Sequence, residues 1–141
     1  MVLYYSENTE FKFNHKRVCS KWLKQVALLE SKTLGYINVI FCSDPYILEL
    51  NRSFLGHNFY TDIITFDYCE GDILSGDLFI SVDTVLSNSQ FYHTIFFDEL
   101  NRVIVHGLLH LIGYNDSTDD EVSLMREKEN FYLDLLNNLI N

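Results

Sequence analysis

The chain has 141 residues, 48% of them hydrophobic and 21% charged, which is enough to bury one core and excludes a disordered tail. The formal net charge is −10, so no overall field draws nucleic acid to it, and no apolar run reaches membrane-spanning length. The charge is uneven: residues 1–32 carry six basic and three acidic side chains, whereas residues 33–141 carry four basic and seventeen acidic ones.

Residues 2–5 (VLYY) predict a short strand. The opening MVLYYSENTEF has neither the basic nor the apolar region of a signal peptide, so a cytoplasmic location is expected. Asn14 is placed to cap a helix over residues 15–33, with Val18, Trp22, Val26 and Leu29 at helical spacing toward the core. Arg17, Lys21 and Lys24 share another face of that helix. A solvated stripe is the plain reading, and a contact to an acidic partner is the other.

Residues 36–42 (YINVIFC) predict a β-branched, aromatic strand, and Ser43, Asp44 and Pro45 then start a helix. Residues 62–68 and 77–82 predict two further strands, with Glu70–Gly76 as a loop between them. Residues 83–93 read as helical. A strongly apolar helix is expected from Asp98 to Leu111 or Ile112, stopped by Gly113. Ser117 or Thr118 caps the last helix, and Thr118 with Glu121 has the capping-box spacing. The expectation is an α+β domain over residues 1–141, with three or four strands and about five helices. Cys19, Cys42 and Cys69 are odd in number and widely spaced, which suits reduced cysteines rather than disulfides or a cysteine zinc site.

The informative segment is His106-Gly-Leu-Leu-His110-Leu-Ile-Gly113-Tyr-Asn-Asp116. Four residues apart on a helix, His106 and His110 present both imidazoles on one face, one turn apart. Such a pair can chelate a metal ion, and after the Gly113 turn Asp116 can add an oxygen. Two histidines and one carboxylate leave a position open for water, the arrangement of a catalytic zinc site, where the ion supplies hydroxide near neutral pH. Spacing alone leaves a second reading open, in which the two histidines find partners within an apolar core. Gly107 stands where the HExxH peptidases carry their general base, which weighs against a peptidase.

These residues resemble the signature of the YbeY family of metal-dependent endoribonucleases, HGxLHLxGYxH, with its last histidine replaced. Leu50 and Asn51, followed by Thr61-Asp62-Ile63-Ile64-Thr65-Phe66, are similar to the family's LN…TDVLSF block. Gly76 to Ser81 resembles its GDIxIS strand, and Met125 and Glu129 fit its final helix. The resemblance implies a zincin-like fold, with a mixed four-stranded sheet on about five helices. It also implies one divalent ion, zinc first among the candidates, held by His106, His110 and Asp116. The implied activity is cleavage of single-stranded RNA in ribosomal RNA maturation, at the 3′ end of the small-subunit RNA, and in ribosome quality control. Ribosomal RNA and the small subunit or its proteins are the implied partners, with neither DNA nor a membrane among them.

Two positions depart from the family pattern. Asp116 stands where a third histidine is usual, with Asp119 and Asp120 as alternative oxygen donors. Leu55 stands where the family places an arginine that would steady phosphate charge. Arg52 and His57 are the expected catalytic substitutes for it, whereas His15 and His93 read as surface or satisfied residues. Tyr60, Phe66 and Tyr114 are aromatic candidates for contact with bases, with core packing as the plainer role. Two other functions remain open at this point: a non-catalytic ribosome-assembly factor with a structural metal, and a small zinc metallopeptidase.

Overall fold

The computed structural model describes residues 1–141. The elements run β1 (Val2–Glu7), α1 (Lys16–Leu29), β2 (Thr33–Cys42), α2 (Asp44–Leu55), β3 (Ile63–Asp67), β4 (Ile73–Ser81), α3 (Val82–Phe91), α4 (Phe96–Ile112) and α5 (Asp119–Ile140). The sheet order is β1-β2-β4-β3, with β1, β2 and β4 parallel and β3 an antiparallel edge strand. This is the expected α+β class, with a mixed four-stranded sheet and five helices.

Strand alternation sorts side chains between the two faces of the sheet. Ile37, Val39 and Phe41 of β2 and Leu74, Leu78 and Ile80 of β4 enter the main core with Trp22, Leu23 and Val26 of α1. Helix α4 lies in that core, where Leu100, Ile104, Leu108 and Leu109 are buried, and α5 closes it with Met125, Tyr132 and Leu136. The opposite face is thinner: Ile47 of α2 packs on Cys42 and Ile64, flanked by Phe66 and Phe79.

Most elements stand where the sequence places them, and the differences have local causes. The cap of α1 is His15, not Asn14, and its side chain makes no capping hydrogen bond. That helix ends at Leu29, because Ser31 takes a positive φ and Thr33 already pairs with Ile73. Leu29, expected inside, is 59% exposed. Residues 70–76 are not all loop. Gly71, at φ 57°, turns the chain tightly, and β4 begins at Ile73, with Leu74 buried beside Leu34. Ser75, Gly76 and Asp77 hide that strand from a hydrophobicity reading. Val82 opens α3 rather than closing the strand, because Ser81 caps the helix by accepting from the Thr84 N–H. Helix α4 begins two residues early, at Phe96, where that ring meets Phe11 edge-on at 5.8 Å. The Thr118–Glu121 capping box is present as expected.

Candidate metal centre

Helix α4 is apolar because three of its sides are covered, and the side left partly open carries His106 and His110. Their ring centroids are 4.5 Å apart, and their Nε2 atoms are separated by 2.9 Å. Gly113, at φ 124°, ends the helix in a backbone region that side chains rarely adopt, and the chain doubles back. That turn brings Asp116 Oδ2 to 3.3 Å from both Nε2 atoms. Asp119 and Asp120 instead occupy the exposed first turn of α5, so of the three acidic candidates Asp116 alone joins the pair.

The hydrogen bonds on the other side of each ring decide the tautomers. His110 Nδ1 lies 2.9 Å from the Tyr114 carbonyl, which only accepts, so Nδ1 donates and Nε2 is left with a lone pair. His106 Nδ1 lies 2.7 Å from Glu129 Oε2, and an ionised carboxylate likewise only accepts. Two imidazole lone pairs and a carboxylate oxygen therefore converge on one point. Ligands at about 2.0 Å around a tetrahedral ion lie about 3.3 Å apart. The separations of 2.9, 3.3 and 3.3 Å fit that spacing. The donor set thus suits one divalent ion. Side-chain exposures of 23%, 26% and 43% leave it open to solvent on one side.

The surroundings favour positive charge at this point. Burial pulls the His106 imidazole down, but the hydrogen bond and charge of Glu129, then the charges of Asp62 and Asp116, raise it above its ordinary value. Burial pushes the Glu129 carboxyl up, yet the hydrogen bonds from His106 and Arg102 and the charges of His106 and Arg126 bring it below the usual carboxylate range. Arg102 Nη1 donates to Glu129 Oε1 at 2.9 Å, so both oxygens of this buried carboxylate are engaged. Burial raises the carboxyl of Asp62, just before β3, against the lowering effect of His106.

Gly107 is filled from outside. A Cβ built there would meet Ile63 Cδ1 at 2.6 Å and Leu78 Cδ2 at 3.1 Å. The position where a peptidase of the HExxH type carries its base thus has no room for a glutamate in this packing.

A family model described as "Endoribonuclease YbeY" matches residues 3–137. The chain belongs to the YbeY family. The YbeY endoribonuclease of Bacteroides thetaiotaomicron is 52% identical over 129 residues, covering 92% of this chain and 94% of the relative. That of Parabacteroides distasonis is 50% identical over 135 residues, covering 96% and 95%. The solution structure of a protein from Thermotoga maritima matches with a TM-score of 0.69 at 28% identity, covering 96% of this chain and 89% of that one. The fold agrees with the zincin-like arrangement that the YbeY resemblance implied.

Within this YbeY fold Arg52 and His57 make their own contacts and are not bonded to the histidine pair. Arg52 donates from Nε and Nη2 to Asn58 Oδ1 at 3.1 and 2.8 Å and pairs with Glu49. The His57 ring stacks on Phe59, with centroids 5.2 Å apart and planes 18° apart. No hydrogen bond or ion pair joins either residue to His106, His110 or Asp116. Leu55 closes α2, half exposed. Phe66 packs between Phe54 and Phe79, and the Tyr114 hydroxyl donates to Glu30, so both serve packing, while Tyr60 is exposed. Arg17, Lys21 and Lys24 form a solvent-facing stripe. His15 packs on Phe97, and His93 is exposed at a positive φ.

Sequence reasoning gave no role to Glu129, Arg102 or Asp62. For Glu129 a signal was present: a glutamate between Met125 and Tyr132, on the buried stripe of an otherwise amphipathic helix.

Proposed function

We propose that this chain is a metal-dependent hydrolase that cleaves single-stranded RNA, with one divalent ion, zinc, held by His106, His110 and Asp116. One domain over residues 1–141 carries this activity. The observation that carries the reading is the convergence of three lone pairs within about one tetrahedral edge of each other, at an opening in a chain of the YbeY family. When bound, the ion would supply positive charge against a scissile phosphate and acidify a coordinated water.

The chain's own residues act around that point. Glu129 accepts from His106 Nδ1 and keeps its Nε2 lone pair aimed at the ion's position. The Tyr114 carbonyl does the same for His110. Asp116 replaces a neutral ligand of the family pattern with an anionic one, which lowers the net charge of the centre by one unit and yields a less acidified water. Arg52, in the last turn of α2, and His57, in the loop that follows, serve the RNA rather than the cluster, His57 directly and Arg52 by holding that loop through Asn58.

The finer reading follows from the family resemblance. The RNA is ribosomal, the cut matures the 3′ end of the small-subunit RNA, and the same activity serves ribosome quality control in the cytoplasm. The acidic surface makes a ribosomal partner useful for bringing enzyme and RNA together.

The test incubates metal-loaded protein with single-stranded RNA, beside His110→Ala purified identically, with metal content measured in both by elemental analysis. Cleavage by the wild type alone, with stoichiometric metal lost in the variant, is the expected result. Equal cleavage by both exposes a contaminating nuclease and removes the claim of activity. Tightly bound metal without cleavage favours a ribosome-assembly factor with a structural ion, the reading that Leu55 and the acidic balance support.

A further inference from the structure

A groove of about 270 Å³ runs between the end of α2 and the edge strand β3. Asn51, Leu55, His57, Phe59, Ile63 and Thr65 contribute to its lining. It adjoins the histidine pair, because Ile63 packs directly on Gly107, the residue after His106. No carboxylate lines it, in a chain of net charge −10. A polyanion therefore meets less repulsion here than over most of the surface.

The groove is built before any ligand arrives. The buried Asn51 donates from Nδ2 to the Phe59 carbonyl at 2.9 Å, and its own carbonyl accepts from the His57 N–H at 3.1 Å. Gly56, at φ 67°, makes the turn out of α2, and Arg52 clamps Asn58 with two hydrogen bonds. These contacts hold Phe59 55% exposed, with His57 stacked on one face. On the other wall, Asp62 O accepts from Ser81 N within the sheet. Antiparallel alternation then turns the backbone donors and acceptors of Ile63 and Thr65 outward. The Ile63 carbonyl already accepts from Thr61 Oγ1 at 3.4 Å, which leaves the Ile63 N–H and the amide groups of Thr65 along this edge of the sheet. A flat aromatic platform beside these edge groups suits a planar heterocycle with hydrogen-bonding edges. The volume lies below that of pockets for drug-sized molecules and suits a single ring system.

We propose that this groove receives one unpaired base of the RNA, stacked on the Phe59–His57 ring pair, with its polar edge toward Ile63 and Thr65. The assignment rests on the RNA-cleaving reading above. It makes His57 a substrate-binding group and Arg52 a brace of the binding loop.

The test uses a short single-stranded oligoribonucleotide carrying a fluorescent purine analogue, with metal-loaded wild type, Phe59→Ala, Phe59→Trp and Tyr92→Ala. Stacking quenches the analogue on the wild type. Phe59→Ala is expected to abolish the quenching and raise Kd and KM about tenfold, with kcat nearly unchanged, the effect of losing one base–aromatic contact. Phe59→Trp should restore both, and Tyr92→Ala, an exposed aromatic on another surface, should change neither. Wild-type cleavage with Kd and quenching unaltered in Phe59→Ala overturns the base subsite and leaves the nuclease reading standing. A wild type that neither binds nor cleaves overturns both. If Phe59→Ala loses binding of an unstructured basic peptide but not of RNA, the groove belongs to a protein segment and the proposal is overturned.

Discussion

His106 Nδ1 donates to Glu129 Oε2 at 2.7 Å, tying α4 to α5 across 23 residues of sequence. The carboxylate is only 4% exposed, and its other oxygen is taken by Arg102. A buried charge so paired is held in one orientation, and it holds the imidazole in turn.

Replacing Glu129 with Gln keeps the shape and removes the charge. Metal affinity is expected to fall about 10–100-fold, the usual effect of losing a carboxylate behind a ligating histidine. Competition against a chelating dye measures this, with far-ultraviolet circular dichroism to verify the fold. An unchanged affinity would show that the pair does not support a metal ligand.

Asp116 is testable in both directions. Asp116→Ala leaves two donors and should lose stoichiometric metal, whereas Asp116→His restores a three-donor set of the family's usual kind and should keep it. Elemental analysis after gel filtration reads the difference. Full metal in the alanine variant would point to another third ligand.

Removing the metal should also cost stability, because an ion that binds only the folded chain stabilises it by mass action. A strong chelator is expected to lower the thermal midpoint of the wild type and to leave that of His110→Ala unmoved. Equal shifts in the two proteins would remove the histidine pair from the metal's coordination.

Gly107→Ala places a methyl group against Ile63 and Leu78. Overpacking of this kind costs about 1–3 kcal/mol, or roughly 2–10 °C in thermal midpoint for a domain near this size. Calorimetry measures it, and a midpoint equal to the wild type would show that β3 yields freely at this contact.

Glu30 provides a pH-dependent term. Burial pushes its carboxyl up, but hydrogen bonds from Tyr114, Tyr132 and Lys128 and the Lys128 charge bring it below the ordinary value. A depressed folded-state value means that its stabilisation is fully present above the unfolded carboxylate range. That stabilisation is lost as pH falls through the folded value. Glu30→Gln should therefore be less stable than the wild type at neutral pH, with the gap closing in acid. Denaturant titrations across that range measure it, and a gap independent of pH would contradict the assignment.

Much of the local structure was legible from short windows of sequence. The i, i+4 histidines, the Gly113 stop, the Ser43 start and the Thr118–Glu121 box each depend on groups within one turn of each other. Their geometry follows from helical periodicity alone. The early start of β4 was not legible, because the strand is held by partners on β2 and β3 rather than by its own polar run.

The centre divides along the same line. Sequence by itself placed two imidazoles on one helix face and put Asp116 first as the third donor, with Asp119 and Asp120 as alternatives. Only the tertiary structure brought the Asp116 carboxylate against both imidazoles and set Glu129 behind His106. It also pressed Ile63 onto Gly107 and stacked His57 on Phe59. Hydrogen bonds and metal coordination operate over about 2–3 Å. At that range the partner is decided by how the helices and the sheet pack to bury the core, and spacing along one segment carries no record of that packing.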